Sequence, residues 1–459
     1  MKIGFLSLYI KLYDDVTPHY RDRLDPFYEK LATLFEEKGV EVVRHPFCRI
    51  EEEFKEAVKK FEDEKVDAIV TWHAAYSPSL ESIEALANTE LPIVVLDTTE
   101  TYEFTSTQDP AEAGYCHGIH GVMDMCSMLT RYGKSYAIAA GHYEKSDCIN
   151  EACGYVKAAI AARALKTAKT ALIGEPFKGM GDFIVPVDEV RERFGAEIIT
   201  PDLNELKSYV DSVTDEEVEA ALAEQKTKYD FSDKSIIEDE YKVSVKTGVA
   251  LKKFLADKGF TAFSVCFLSV GNDYALPVMP FVTCCEAMQE GIGYAGEGDA
   301  LTATFVGALL KAYKETNFVE IFCPDWKNGA FYLSHMGETN YAVADFKPQL
   351  KRKALTYTDG VNPYAAYTRM KGGKGVYINV CKGKDEYKLV IAESEMMSVK
   401  KDNFVNGMRG WLKTDKSAAE FLKAISVNGA THHSIFVYGA TVEEMVFFAE
   451  NVGLKPVII

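Results

Sequence analysis

No C-x-x-C pair occurs in this 459-residue chain, and its ten cysteines, at positions 48, 116, 126, 148, 153, 266, 284, 285, 323 and 381, follow no framework spacing. That argues against a zinc ribbon, a dithiol redox motif or a disulfide-stapled secreted scaffold. It suggests reduced thiols acting as small core residues of a cytoplasmic protein. Positive charge is also scarce: 51 Lys and Arg face 69 Asp and Glu, a formal net charge of -18. Phosphate binding needs a basic face, so no nucleic-acid or anionic-membrane partner is expected. No uncharged apolar run is long enough to span a bilayer. The short apolar stretch at 1–10 is broken by Lys11 and by Asp14 and Asp15, and no small-residue cleavage site follows it. It reads as a first strand and not as a signal peptide. Internal repeats and low-complexity segments are absent as well.

What is present is the composition of a soluble globular protein, 47% hydrophobic and 26% charged, in a chain longer than one core usually supports. Apolar segments at 3–9, 40–46, 68–72 and 93–96 alternate with amphipathic helical patterns at 27–37, 52–61 and 80–87. Such alternation predicts a parallel sheet with helices on both faces. A strand at 136–140 and a helix at 150–164 follow. A second unit of this kind begins at 170–174 and includes 196–199, a helix at 243–257 and a strand at 262–267. Its charge-rich stretch at 203–233 reads as a solvated helical face. Beyond 317 the texture changes to short alternating segments at 375–380 and 387–392, bounded by Gly/Lys stretches at 371–374 and 381–385. These predict hairpins of an antiparallel sheet or small barrel. Thr441, with Glu444 three residues on, predicts a capping box opening a last helix, and 456–459 a closing strand.

The most informative stretch is Gly293-Tyr-Ala-Gly-Glu297-Gly-Asp299, which sets one carboxylate between glycines just before a helical pattern at Leu301, Phe305, Leu309 and Tyr313. Glycine flanks let a ligand come close and the backbone turn sharply, and Asp299 is a good N-cap for that helix. An isolated Gly-Glu-Gly-Asp is more often a solvated turn. Its downstream partners reverse that reading. Glu320 lies in a strand-like segment at 317–322, His335 in another at 330–336, and His432 with His433 in a third at 430–436. Two carboxylates and several imidazoles on separate ordered elements suit a hard divalent metal. Asp325 is an alternative acidic ligand to Glu320, less favoured because it follows Pro324 in a turn-like context. Alternation along a strand would send His432 and His433 to opposite faces, one to a metal and the other to packing or substrate.

The order of these motifs resembles the L-arabinose isomerase group of the L-fucose/L-arabinose isomerase superfamily. The matching stretches are the Gly-Glu297-Gly-Asp segment, Thr316 to Glu320, Leu333-Ser-His335-Met, and Gly429 to Phe436 with its His-His pair. Cys116-His117-Gly, the segment ending at His142 and the segment Thr261 to Phe267 are also similar. The resemblance implies an α/β chain of two Rossmann-like parallel-sheet domains, 1–165 and 166–316, followed by a C-terminal antiparallel β-barrel domain over 317–459. It implies a cytoplasmic aldose-ketose isomerase with Mn²⁺, or another divalent ion such as Mg²⁺ or Co²⁺. Carried over by position, Glu297, Glu320, His335 and His433 are the metal ligands. His117, His432 and Phe267 become the substrate contacts. The assembly implied is a homo-oligomer, trimer or hexamer, with His117 reaching a neighbouring site. One departure concerns the stretch after the first strand, where Leu6-Ser-Leu-Tyr-Ile-Lys-Leu-Tyr13 replaces the group's Gln-His-Leu-Tyr-Gly signature, so sugar selection is open.

Isomerisation of an open-chain sugar moves a proton between C1 and C2 through a cis-enediol whose oxygens carry developing negative charge. A chelating metal stabilises that charge, and two carboxylates in opposed environments serve as acid and base. Glu297 and Glu320 are the expected pair. A non-catalytic cytoplasmic sugar-binding protein and a metal-dependent epimerase are the alternatives. For His117, His120 and His142 structural and functional roles weigh equally, while His19, His45 and His73 read as structural or peripheral. His73 nevertheless ends a parallel strand, where ligands bind in such sheets.

Overall fold

Five apolar segments, β1 (Lys2–Leu8), β2 (Glu41–Arg44), β3 (Ala68–His73), β4 (Ile93–Asp97) and β5 (Tyr136–Ala140), pair in the order β2-β1-β3-β4-β5 in the computed structural model, which describes all of residues 1–459. Every pairing is parallel, as the strand–helix alternation predicts. The connecting helices include Arg21–Glu37, Glu51–Asp63, Ser79–Asn88 and Ile119–Arg131. One face of the sheet supplies Leu6, Leu8, Ile69 and Val95 to a core shared with Phe54, Phe61, Val122 and Leu129. These elements belong to the first of two compact units, Met1–Ile160 and Ala161–Ile459.

The second unit starts with another wholly parallel sheet of β6 (Lys169–Ile173), β7 (Glu197–Ile199), β8 (Ala262–Val265) and β9 (Gly293–Gly296), ordered β7-β6-β8-β9. In the charge-rich region, helix Asp215–Lys228 buries only Val218, Leu222 and Gln225, which agrees with a solvated face. Asp299 caps helix Ala300–Leu310, its side chain accepting from the Thr302 N–H at 2.9 Å. Periodicity suggested one apolar face for this helix, yet all eleven residues are buried. It packs against β6, β8 and β9 and also against the strands that follow, so no face meets water.

β10 (Thr316–Asp325) and β11 (Ala330–Ser334) open the C-terminal part, and β12 (Gln349–Arg352) with β13 (Tyr364–Tyr367) forms a separate antiparallel ribbon. β14 (Gly373–Lys382), β15 (Tyr387–Met396), β16 (Gly410–Thr414) and β17 (His433–Tyr438) complete a six-stranded antiparallel barrel. Its order is β14-β17-β10-β11-β16-β15, closed by the pairing of β14 with β15. Closure leaves no free edge among the six strands, and Val319, Phe331, Leu333, Tyr377, Leu412 and Phe436 share the core. β18 (Lys455–Ile458) adds to β15 in parallel.

The segment at 381–385 makes the β14–β15 hairpin as expected, but 371–374 is not a turn, because Gly373 and Lys374 already pair with Met396 and Glu395. Gly375 is there for close approach: a Cβ would lie 2.3 Å from the Val437 carbonyl oxygen. At the last helix, Val442–Asn451, Thr441 accepts from the Glu444 N–H at 3.2 Å, while the Glu444 carboxylate accepts from the Tyr313 hydroxyl at 2.6 Å. No helix is long and apolar enough to cross a membrane.

One enclosed ion network ties the barrel loops together. Asp402, its side chain 4% exposed, accepts from Arg409 Nε and from Arg369 Nη1, each at 2.7 Å. Arg369 also binds Asp345, and Arg409 reaches the carbonyls of Thr368 and Gly407.

Candidate metal centre

Register brings the first pair together. On adjacent strands β10 and β17, Glu320 lies opposite His433, so both side chains leave the same face. On the other side Glu320 pairs with Ser334, the last residue of β11, and the next residue is His335. Glu297 arrives from the parallel sheet, on the turn between β9 and helix Ala300–Leu310. Its φ of 62° is in the left-handed region that non-glycine residues rarely occupy. The turn is held by the Phe177 N–H on the Glu297 carbonyl at 2.9 Å and the Asp299 N–H on the Gly296 carbonyl at 2.9 Å.

The flanking glycines have a specific steric role. A Cβ on Gly296 would lie 2.4 Å from His335 Cε1, so this glycine makes room for the imidazole and not for an incoming ligand. Gly298 has φ +86° and a Cβ there would meet Pro176 Cα at 2.5 Å.

The ligand-type atoms form two overlapping triads, Glu297–His432–His433 and Glu320–His335–His433, each with its atoms within 4.8 Å of one another. His433 Nε2 lies 3.7 Å and His432 Nε2 3.5 Å from Glu297 Oε2, and His335 Nε2 lies 4.0 Å from Glu320 Oε2. Both His432 Nε2 and His433 Nε2 are buried with no hydrogen-bond partner. The opposite ring nitrogens are engaged by carboxylates. His433 Nδ1 meets Asp299 Oδ2 at 2.9 Å, His335 Nδ1 meets Glu338 Oε2 at 2.8 Å, and His432 Nδ1 meets Asp182 Oδ2 at 2.6 Å. A carboxylate on Nδ1 orients the ring and directs Nε2 outward, the usual support of a metal-binding histidine. Unpaired buried nitrogens facing carboxylates, each backed in this way, fit a divalent cation with oxygen and imidazole ligands.

The two glutamates sit in opposed surroundings. Burial pushes the Glu320 carboxyl up. At Glu297 burial acts in the same direction, but His432, His335 and His433 outweigh it and hold the carboxyl below its ordinary value. Glu297 beside Nε2 raises His432 to about 9, against burial and with help from Asp182. His335 is raised too: burial lowers it, and Glu338, Glu320 and Glu297 together outweigh that. Aromatic rings wall the cluster. Phe318 lies edge-on to His335 and His433, with centroids 4.9 Å away in both cases, and Phe183 stacks on His433 at 5.2 Å and 10°.

Of the residues singled out in the sequence, Glu297, Glu320, His335, His432 and His433 are brought together. His432 and His433 do not diverge as strand alternation suggested, because β17 begins at His433 and His432 precedes it, leaving both rings near Glu297 with centroids 4.1 Å apart. Asp325 is not near the cluster chemistry: its carboxylate closes a turn with Asn328. Phe267 is buried between Phe177 and Tyr357, and Phe177 is the residue whose N–H holds Glu297. His117 belongs to the first unit, where Nε2 is 3.0 Å from the Tyr13 hydroxyl and Nδ1 is 2.8 Å from the Ala113 carbonyl oxygen; burial lowers its pKa. His73 is fully buried with neither ring nitrogen paired, and burial takes its pKa down to about 3. Sequence reasoning missed Glu338, Asp182 and the second role of Asp299. The spacing His335-x-x-Glu338 was an available signal, whereas nothing local marks Asp182, 250 residues from His432.

Comparison with known proteins identifies related domains over the second unit. The family model described as the L-arabinose isomerase central domain matches residues 187–315, and the one described as the L-arabinose isomerase C-terminal domain matches 315–455. All five clustered residues fall inside these ranges. L-arabinose isomerase of Oceanobacillus iheyensis is 25% identical over 425 residues, covering 86% of this chain and 85% of that protein. L-arabinose isomerase of Bacillus subtilis is 25% identical over 433 residues, covering 91% and 86%. Among solved structures, a periplasmic solute-binding protein of Actinobacillus succinogenes with bound D-allose is 14% identical and covers 68% of this chain and 92% of its own, at a TM-score of 0.19, too low to bear on the argument.

Proposed function

This chain belongs to the L-arabinose isomerase family and is an aldose-ketose isomerase, and we propose that it acts in the cytoplasm on a small sugar through a cis-enediol. The substrate class is a pentose such as L-arabinose, a deoxyhexose or a modified sugar. The reading places Mn²⁺, or a similar ion such as Mg²⁺ or Co²⁺, on Glu297, Glu320, His335 and His433. The observation that carries it is His433 Nε2, buried and unpaired, shared by two carboxylate-containing triads and fixed from behind by Asp299. A divalent ion there supplies Lewis-acid stabilisation of negative charge on the substrate oxygens. Glu297 and Glu320 are the acid–base pair: one takes the carbon-bound proton and returns it to the adjacent carbon, and the other serves the oxygens. Their unlike surroundings support a division of those roles. His432 contacts a sugar hydroxyl, and Phe267 contributes an apolar wall.

The test is a panel of aldoses and ketoses, beginning with L-arabinose, incubated with Mn²⁺ in deuterium oxide. Interconversion with deuterium entering C1 or C2 is expected. Inversion at a carbon with the carbonyl unmoved would identify an epimerase instead, and sugar binding without exchange a non-catalytic protein. Either outcome removes the proposal.

Asp299 allows the metal role to be tested apart from the fold. Asn is also a good N-cap, so Asp299→Asn keeps the helix start and removes the charge behind His433. Mn²⁺ affinity, measured by calorimetry, is expected to fall about 10- to 100-fold. Unchanged affinity would leave Asp299 as a cap alone.

His117 is proposed to complete the site of a neighbouring protomer in a homo-oligomer, trimer or hexamer. Sedimentation of the active protein is expected to show such an assembly, with His117→Ala impairing turnover. A fully active monomer would refute this role.

A further inference from the structure

The segment between β6 and helix Val187–Phe194 lies outside both matched ranges, yet it reaches the cluster at two consecutive residues. Phe183 stacks on His433. Asp182 Oδ2 accepts from the His432 backbone N–H at 2.9 Å and meets His432 Nδ1 at 2.6 Å. Behind them the segment is anchored by Phe177 on the Glu297 carbonyl and by Pro176 against Gly298, where no side chain would fit.

His432 needs such support more than its neighbours do. It precedes β17, so no strand pairing holds its backbone, and its side chain is 32% exposed against 0% for His433. Its Nε2 is nonetheless buried, without a hydrogen-bond partner, 3.5 Å from Glu297 Oε2. A half-exposed imidazole holds one orientation only if its other nitrogen is tied. We propose that Asp182 is a positioning residue that fixes both the backbone and the ring of His432, so that Nε2 faces the substrate side of Glu297. This rests on the reading of His432 as a sugar contact. A displacement of about 1 Å at such a contact lowers turnover on the order of 10²-fold.

The test uses the full-length protein in the forms Asp182→Ala, Asp182→Asn, Asp182→Glu, His432→Ala and the double variant Asp182→Ala/His432→Ala. Asp182 is 38% exposed in its side chain and lies in a loop, so these forms are expected to fold. The first readout needs no metal and no activity. In metal-free protein labelled with ¹⁵N-histidine, wild type should show downfield imidazole N–H protons from the carboxylate-paired rings of His335, His432 and His433, and the one assigned to His432 is the one that His432→Ala abolishes. Asp182→Ala should abolish it too, and Asp182→Glu should retain it. The second readout is calorimetric binding of L-arabinitol, an unreactive polyol, to the Mn²⁺-loaded protein. Asp182→Ala and His432→Ala should weaken it alike, the double variant no further, and Mn²⁺ affinity itself should stay within about twofold. The third is L-arabinose kinetics, in which kcat/KM should fall about 10- to 100-fold in Asp182→Ala and recover in Asp182→Glu. Persistence of the His432 downfield proton in Asp182→Ala, or full additivity of the two single variants, would overturn the proposal. If wild type neither binds L-arabinitol nor converts L-arabinose, the substrate reading fails by itself, and the proton resonance still decides whether Asp182 holds His432.

Discussion

Replacing either Glu297 or Glu320 by glutamine is expected to lower turnover by about 10²- to 10⁴-fold, the range typical of general acid–base groups, while the protein stays folded. Glutamine keeps the shape and removes both charge and basicity. Both carboxylates face the cluster and not the apolar core, with side chains 13% and 21% exposed, so neither substitution opens a cavity. Each glutamate also belongs to one of the two triads, so weaker Mn²⁺ binding is expected alongside slower chemistry. Saturating Mn²⁺ separates the two effects: occupancy should recover in the glutamine variants and turnover should not. Recovery of near wild-type rates in both would make the glutamates ligands only. The base would then be sought at His432, since Asp325 is committed to its turn with Asn328.

A loss of about 3–5 kcal/mol in unfolding free energy is expected for Asp402→Ala, because the substitution leaves two largely enclosed guanidinium groups without their shared counter-ion. Trp326 and Trp411 lie in the second unit and Trp72 in the first, so denaturant unfolding followed by tryptophan fluorescence in a Trp72→Phe background reports on the second unit. The pH dependence has a definite sign. Burial raises the Asp402 carboxyl, but hydrogen bonds from Arg409 and Arg369 outweigh it and hold the group below its ordinary value. Its stabilisation is therefore complete above the unfolded value of about 3.9 and is lost as pH falls through the lower folded value. The gap between wild type and Asp402→Ala should narrow on acidification below about pH 4. A gap that stays constant to pH 2 would mean that the loss comes from packing and not from charge.

Where the sequence was readable, the cause is local. Segments 68–72 and 93–96 are strands because buried parallel strands need short, continuously apolar or small-residue runs, and they appear at 68–73 and 93–97. Asp299 caps its helix because a short side-chain acceptor before a helical run satisfies free N–H groups wherever the helix packs. Glycines were harder to interpret. Those around Glu297 pointed to a special turn, but their partner is the His335 ring in one case and Pro176 in the other, and neither is visible from spacing. At 371–374 the same Gly/Lys chemistry marked a close strand approach and not a turn.

The sequence by itself determined the parallel-then-antiparallel order of the chain, its acidic character and the residue types available to the candidate site. Ligand chemistry depends on functional groups, and strand periodicity on neighbouring side chains, so both are written along the chain. Only the tertiary structure decided that Glu320 faces His433 across a closed barrel, that His432 and His433 point the same way, and that Asp182, Asp299 and Glu338 stand behind the three imidazoles. Those relations depend on register and on contacts between residues up to 250 positions apart. A carboxylate's own neighbours in sequence carry no record of the ring it will meet in space.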